Sequence, residues 1–139
     1  MAWGLMAKQQ QQRSLTAELQ ELVLVALGAV PGALLRWQME LYWADRHVLV
    51  NVLGAALLGL LAGLPAAPRR QLLVGIGFCG SLTTFSSWMV EAMQLISAGR
   101  VIEALGLMGL TLGLGLGAAA LGFWIGQRVR LLTPPRSEP

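Results

Sequence analysis

The run Gly77-Phe78-Cys79-Gly80-Ser81-Leu82-Thr83-Thr84-Phe85-Ser86-Ser87-Trp88 gathers the groups of this chain best suited to handling an ion. Thr83, Thr84, Ser86 and Ser87 offer rotatable hydroxyls that donate and accept hydrogen bonds. Phe85 and Trp88 are three residues apart and share a face if a helix resumes there. An aromatic ring has a positive edge and a negative face. Rings aimed edge-on into a narrow path, with hydroxyls beside them, stabilise a small, hard anion without trapping it. Each group also has a plainer reading: serine and threonine in membrane helices commonly bond the carbonyl of the preceding turn, and aromatic rings pack. Asn51 adds an uncharged amide with two N–H donors, and such a group is costly to bury unpaired. It either faces an anion or water, or clamps a neighbouring helix.

Gly75, Gly77 and Gly80 mark where a helix can open, because glycine tolerates backbone conformations that other residues resist. An unwound turn exposes carbonyl oxygens, and broken membrane helices coordinate sodium in this way. Acidic ligands for a divalent ion are missing from this run, so a monovalent cation held by carbonyls is the better guest. Arg36 closes an apolar stretch, where its side chain can reach the interface. Glu91 follows the polar run by one turn, and a carboxylate at membrane depth is by default a functional candidate, or else a protonated packing residue or a proton-coupling site.

The elements that must hold these groups follow from composition. Of 139 residues, 55% are hydrophobic and 12% charged, about half the charge of a soluble domain, and mean hydropathy is +0.63. No charge falls between Leu22 and Leu35, Val48 and Leu64, Leu72 and Val90, or Ala104 and Gln127. A span needs about 20 apolar residues. The expectation is an all-α membrane protein of four transmembrane helices, at about 16–37, 48–64, 71–97 and 101–127, with the third helix broken. Residues 1–15, with the run Gln9–Gln12, read as a disordered or interfacial tail rather than a cleaved signal, since no apolar core or small-residue cleavage site precedes Leu22. Residues 131–139, with Pro134, Pro135 and Pro139, read as a disordered tail.

Cys79 is the only cysteine, which rules out an intrachain disulfide and a multi-cysteine metal site. His47 lies beside Asp45 and Arg46 and reads as a solvated loop residue. The net charge of +3 comes from basic residues flanking the spans, so lipid head groups explain it better than nucleic acid. With four spans, Lys8, Arg13, Arg69, Arg70, Arg128, Arg130 and Arg136 share one face and Arg36, Arg46 and Arg100 the other. The positive-inside tendency puts the termini in the cytoplasm. Gly28 and Gly32, Gly59 and Gly63, and the ladder Gly109, Gly113, Gly117 have the small-xxx-small spacing that lets membrane helices approach closely. They can pack one subunit or join two. A four-helix chain has little room for an internal pore, which favours a dimer.

Gly32-Ala33-Leu34-Leu35-Arg36-Trp37, Asn51-Val52-Leu53-Gly54 and above all Gly77 to Ser86, in this order, resemble the CrcB/Fluc family of bacterial fluoride channels. The likeness covers about Gly28 to Gln127. It implies an antiparallel dual-topology dimer in a bacterial inner membrane, with two fluoride pathways and a central sodium ion. By the resemblance, Gly80 and Thr83 hold the sodium through backbone carbonyls. Asn51 matches the pore asparagine and Phe85 the first phenylalanine of an aromatic box. Ser86 and Ser87 match the polar track, Arg36 a vestibule arginine and Glu91 the carboxylate past the box; Thr84 and Trp88 join them as fluoride-pathway candidates. Trp88 departs from the family's second phenylalanine, and Ser81 from a second glycine. The indole narrows the path, donates to the anion or blocks one pathway.

The implied activity is passive export of cytoplasmic fluoride, protecting the cell from its toxicity. The second subunit is another copy or, given the charge bias, a paralogue of opposite orientation. The alternatives are a small four-helix, proton-coupled exporter of the multidrug type, using Glu18, Glu21 or Glu91, and a structural membrane subunit without transport. No nucleophile–base pair or metal constellation in the spans suggests an enzyme.

Overall fold

The computed structural model describes residues 2–42 and 47–132. No strand occurs among the described residues. α1 spans Ala2–Tyr42 and α2 spans His47–Gly63. A helical stretch over 68–82 follows, made of α3 (Pro68–Arg70), a π-helical segment (Gln71–Cys79) and α4 (Gly80–Leu82). After three non-helical residues, α5 runs over Ser86–Ser97 and α6 over Val101–Leu132. Three described stretches are long and apolar enough to cross a bilayer: Ser14–Tyr42, Pro68–Ser97 and Val101–Leu132. A shorter apolar helix, Val48–Gly63, lies between the first two. At 1.5 Å per residue it measures about 24 Å.

The helices fall where charge is missing, and they differ from expectation mainly at their ends. The tail expected to be irregular is helical from Ala2 onward. Residues 2–15 lack an apolar stripe, but their Ala, Leu, Met, Lys, Gln and Arg are strong helix formers, and propensity can extend a helix that is already nucleated downstream. Asp45, Arg46 and the proline-rich tail from Thr133 lie outside the described residues, while His47 opens α2.

Packing occurs in two main pairs, α1 on the π-helical segment and α2 on α6, with α5 resting on α6. Glycine makes both contacts possible. A methyl at Gly28 would collide with the Leu73 carbonyl, and one at Gly32 with Phe78 and Ser81. On the other side, Gly59 and Gly63 press on the backbone at Ala119 and Phe123, and Gly122 and Gly126 on Ala56 and Leu60. By contrast, nothing lies within 4 Å of a methyl built on Gly106, Gly109, Gly113, Gly115 or Gly117, so the outward ladder of α6 meets no neighbour among the described residues. The turn between α5 and α6 is closed by Gly99 at φ 76°, a left-handed conformation that a β-carbon would strain. Its amide and that of Arg100 return to the carbonyls of Ile96 and Leu95 at 2.9 and 2.8 Å, capping the last turn of α5.

Candidate functional site

The site is built where the third long stretch stops being helical. Thr83 is extended, at φ −75° and ψ 152°, and helical dihedrals are back at Phe85, the N-cap of α5. Two kinds of hydroxyl surround this interruption. Those of Ser81 and Thr83 bond back to their own preceding turn, Ser81 Oγ donating to the Gly77 carbonyl at 2.7 Å and Thr83 Oγ1 to that of Cys79 at 2.9 Å. This is the ordinary membrane-helix use of serine and threonine. The other three pair with one another: Thr84 Oγ1 lies 3.0 Å from Ser87 Oγ and 3.4 Å from Ser86 Oγ.

Asn51 reaches across from α2 and holds the interruption at two points. Its Nδ2 donates to the Thr84 carbonyl and its Oδ1 accepts the Thr84 amide N–H, each at 2.8 Å. A peptide unit outside the helical ladder needs partners in an apolar medium, and Asn51 supplies both. One of the two amide hydrogens of Asn51 is left over for another acceptor.

This pairing changes the ladder around it. In a continuous helix, the Thr84 amide would bond the Gly80 carbonyl four residues back; here it goes to Asn51. The Ser87 amide would bond the Thr83 carbonyl; here it goes to Thr84 Oγ1, at 3.3 Å. The carbonyls of Gly80 and Thr83 have therefore both lost their usual donors to side chains. A methyl on Gly80 would meet nothing within 4 Å, so this edge of the interruption is open.

A cavity of about 390 Å³ adjoins the interruption, and Asn51, Thr83, Thr84, Phe85, Trp88 and Thr111 are among its lining residues. None of the lining residues is charged. The Phe85 and Trp88 rings meet in a T, with centroids 5.0 Å apart and planes at 80°. Trp88 is only 6% exposed, whereas Phe85 is 67% exposed and also borders a second cavity along α5 together with Ser86. A shared face for these two residues was legible from their spacing; their unequal burial was not.

Thr111 was not singled out from the sequence, although it is the only hydroxyl residue of α6. It is buried, and its Oγ1 has no hydrogen-bond partner among the described residues, while Asn51 and Thr84 nearby are already engaged with each other. A buried unpaired hydroxyl costs about 1–3 kcal/mol, which makes Thr111 a donor in waiting. The two charged candidates stand apart from the cavity. Arg36 pairs with Glu40 along α1, Nε to Oε1 3.8 Å, and Glu91 is exposed on α5; neither lines the cavity.

Comparison with known proteins identifies the family. Residues 23–123 match the family model described as CrcB-like protein, Camphor Resistance (CrcB). A protein of Synechococcus sp. (strain CC9902) named fluoride-specific ion channel FluC 2 is 87% identical over 134 residues, covering 96% of this chain and 100% of that protein. One of the same name from Parasynechococcus marenigrum (strain WH8102) is 73% identical, covering 90% of this chain and 95% of its own. A protein named fluoride-specific ion channel FluC 1, from Prochlorococcus marinus, is 41% identical across 86% of this chain and 92% of its own. With its apolar helices and a match over most of its length, the chain belongs to the CrcB-like family of multi-pass membrane proteins.

Proposed function

We propose that this chain is a subunit of a fluoride-selective channel through which cytoplasmic fluoride leaves the cell passively. The observation that carries the reading is the cavity beside the helix interruption, where amide, hydroxyl and ring groups are set into an otherwise aliphatic lining with no charged residue among them. A cationic lining would hold an anion tightly, while neutral donors attract it and let it go. The leftover N–H of Asn51 and the Thr111 and Thr84 hydroxyls of the cavity, with the Ser86 and Ser87 hydroxyls behind them on Thr84 Oγ1, replace part of the water that fluoride gives up. Phe85 and Trp88 stand in the same wall, and ring edges turned to the path would suit a small, hard halide better than chloride. Hydrogen fluoride enters cells as a neutral acid and dissociates, and the anion is driven out by the interior-negative potential, about 2.3 kcal/mol per 100 mV. The names of the curated relatives support this reading. They do not support a multidrug-type exporter, and Glu18, Glu21 and Glu91 are exposed and absent from the cavity.

In the same reading the protein has four membrane helices, Val48–Gly63 serving as the second and the interrupted stretch as a broken third. Two subunits pair in antiparallel orientation in the bacterial inner membrane. The exposed Phe85, the open Gly80 and the unpartnered glycine ladder of α6 would all find their neighbours in a second subunit. The carbonyls of Gly80 and Thr83, stripped of their ladder donors, are of the right chemistry for a sodium ion. When bound, sodium supplies a fixed positive charge beside the two interruptions. Liposomes containing this chain, alone and with a second subunit, test the function. Fluoride, followed with an ion-selective electrode, should leave them rapidly while chloride stays. Equal leakage of both ions, or retention of both even with a second subunit present, overturns the reading.

A further inference from the structure

We infer that Asn51 and Thr84 are positioning residues for a cation: their side chains keep the Gly80 and Thr83 carbonyls free by capturing the two amide hydrogens that would otherwise occupy them. The inference rests on the cation reading above and assigns it a cause within this chain. The interior of a continuous helix uses up every carbonyl, and in an apolar medium each carbonyl and amide seeks its ladder partner strongly. An exposed carbonyl pair therefore does not arise from flexibility alone. The competing donors must be held elsewhere.

The structure shows where each is held. The Thr84 amide, the natural partner of the Gly80 carbonyl, is bound to Asn51 Oδ1 at 2.8 Å. The Ser87 amide, the natural partner of the Thr83 carbonyl, is bound to Thr84 Oγ1 at 3.3 Å. Asn51 Nδ2 also holds the Thr84 carbonyl at 2.8 Å, which fixes the orientation of the whole peptide. The two diversions share Thr84: one uses its backbone and the other its hydroxyl. A side chain on α2 thereby governs the ladder of another helical stretch, in addition to any contact Asn51 makes with an anion.

Without these acceptors the displaced hydrogens return to the nearest ladder carbonyls, and a cation must then compete with a backbone hydrogen bond. The test is thermal unfolding of the purified full chain, alone and together with a second subunit, titrated with sodium chloride against choline chloride at constant ionic strength. The unfolding midpoint of the parent should rise with sodium. In Asn51→Ala and Thr84→Val, the sodium concentration giving half the rise should increase about tenfold, the equivalent of one hydrogen bond. Thr84→Ser keeps the acceptor oxygen and should titrate like the parent. Phe85→Ile alters the anion path without touching either diverted amide, and it too should titrate like the parent. If Asn51→Ala does not fold, the near-isosteric Thr84→Val carries the same expectation. A parent that responds to sodium, with Asn51→Ala or Thr84→Val titrating at the parent's concentration, overturns this assignment alone. A parent indifferent to sodium in both preparations overturns the cation reading and the assignment together.

Discussion

Thr111 and Phe85 make the residue-scale case because their substitutions should separate transport from stability. Thr111 Oγ1 is buried without a partner among the described residues, so Thr111→Val removes an uncompensated desolvation cost and should leave the unfolding midpoint unchanged or slightly raised. If the hydroxyl serves fluoride, flux in liposomes should still fall, by about three- to tenfold for a lost hydrogen bond. Phe85→Ile removes a ring edge and its T-shaped contact with Trp88. Flux should drop by about tenfold, since aromatic edge interactions are worth about 0.5–1.5 kcal/mol each, and subunit association, followed by size-exclusion chromatography, should survive. Unchanged flux in both variants would remove the cavity as the pathway. The sequence makes the importance of Asn51, Thr84 and Phe85 legible, because such groups are rare in apolar stretches. It does not reveal that Asn51 commits both ends of its amide to Thr84, since hydrogen-bond partners 33 residues apart in the chain leave no periodic trace. Thr111 escaped notice because a lone threonine in a helix usually satisfies itself on the preceding turn.

At the scale of elements, the helices themselves were readable from charge-free runs, while the role of each glycine was not. Gly28, Gly32, Gly59, Gly63, Gly109, Gly113 and Gly117 share the same four-residue spacing. The first four press against backbone inside the chain, and the last three face open space. Spacing alone describes what a helix surface permits; the neighbour that uses it depends on tertiary arrangement. The difference has a measurable consequence. Gly122→Leu drives a side chain into the Ala56 carbonyl where α2 meets α6 and should lower stability by about 1–3 kcal/mol or more, seen as a reduced unfolding midpoint. Gly113→Ala meets nothing within 4 Å among the described residues, so any loss it causes should appear in the association of subunits and not in the fold of one. The interruption between α4 and α5 falls inside the dense polar run but at residues 83–85, not at Gly75, Gly77 or Gly80, where the freedom of glycine predicts the opening and where the chain stays helical. The π-helical segment before it was not legible, because a one-residue widening of the ladder has no composition signal of its own.

For the whole molecule, the charges set an orientation problem. In the proposed four-span arrangement, Arg69, Arg70, Arg128 and Arg130 would share the side of the termini, against Arg36 and Arg100 on the other. An antiparallel homodimer needs subunits inserted both ways, and this bias favours one. Reconstitution of the lone chain should therefore give much weaker fluoride efflux than co-expression with a paralogue of opposite bias. Equal efflux from the lone protein would show that the chain completes the assembly by itself. One dimension of the fold also reaches beyond the protein. The apolar helix Val48–Gly63, at about 24 Å, is shorter than the ~30 Å hydrocarbon layer, whereas Ser14–Tyr42 and Val101–Leu132 exceed it. In the four-span reading proposed above, the subunit would carry one short wall beside three long stretches, and hydrophobic mismatch at α2 would favour thin-membrane regions and shorten the distance an ion travels from water to Asn51.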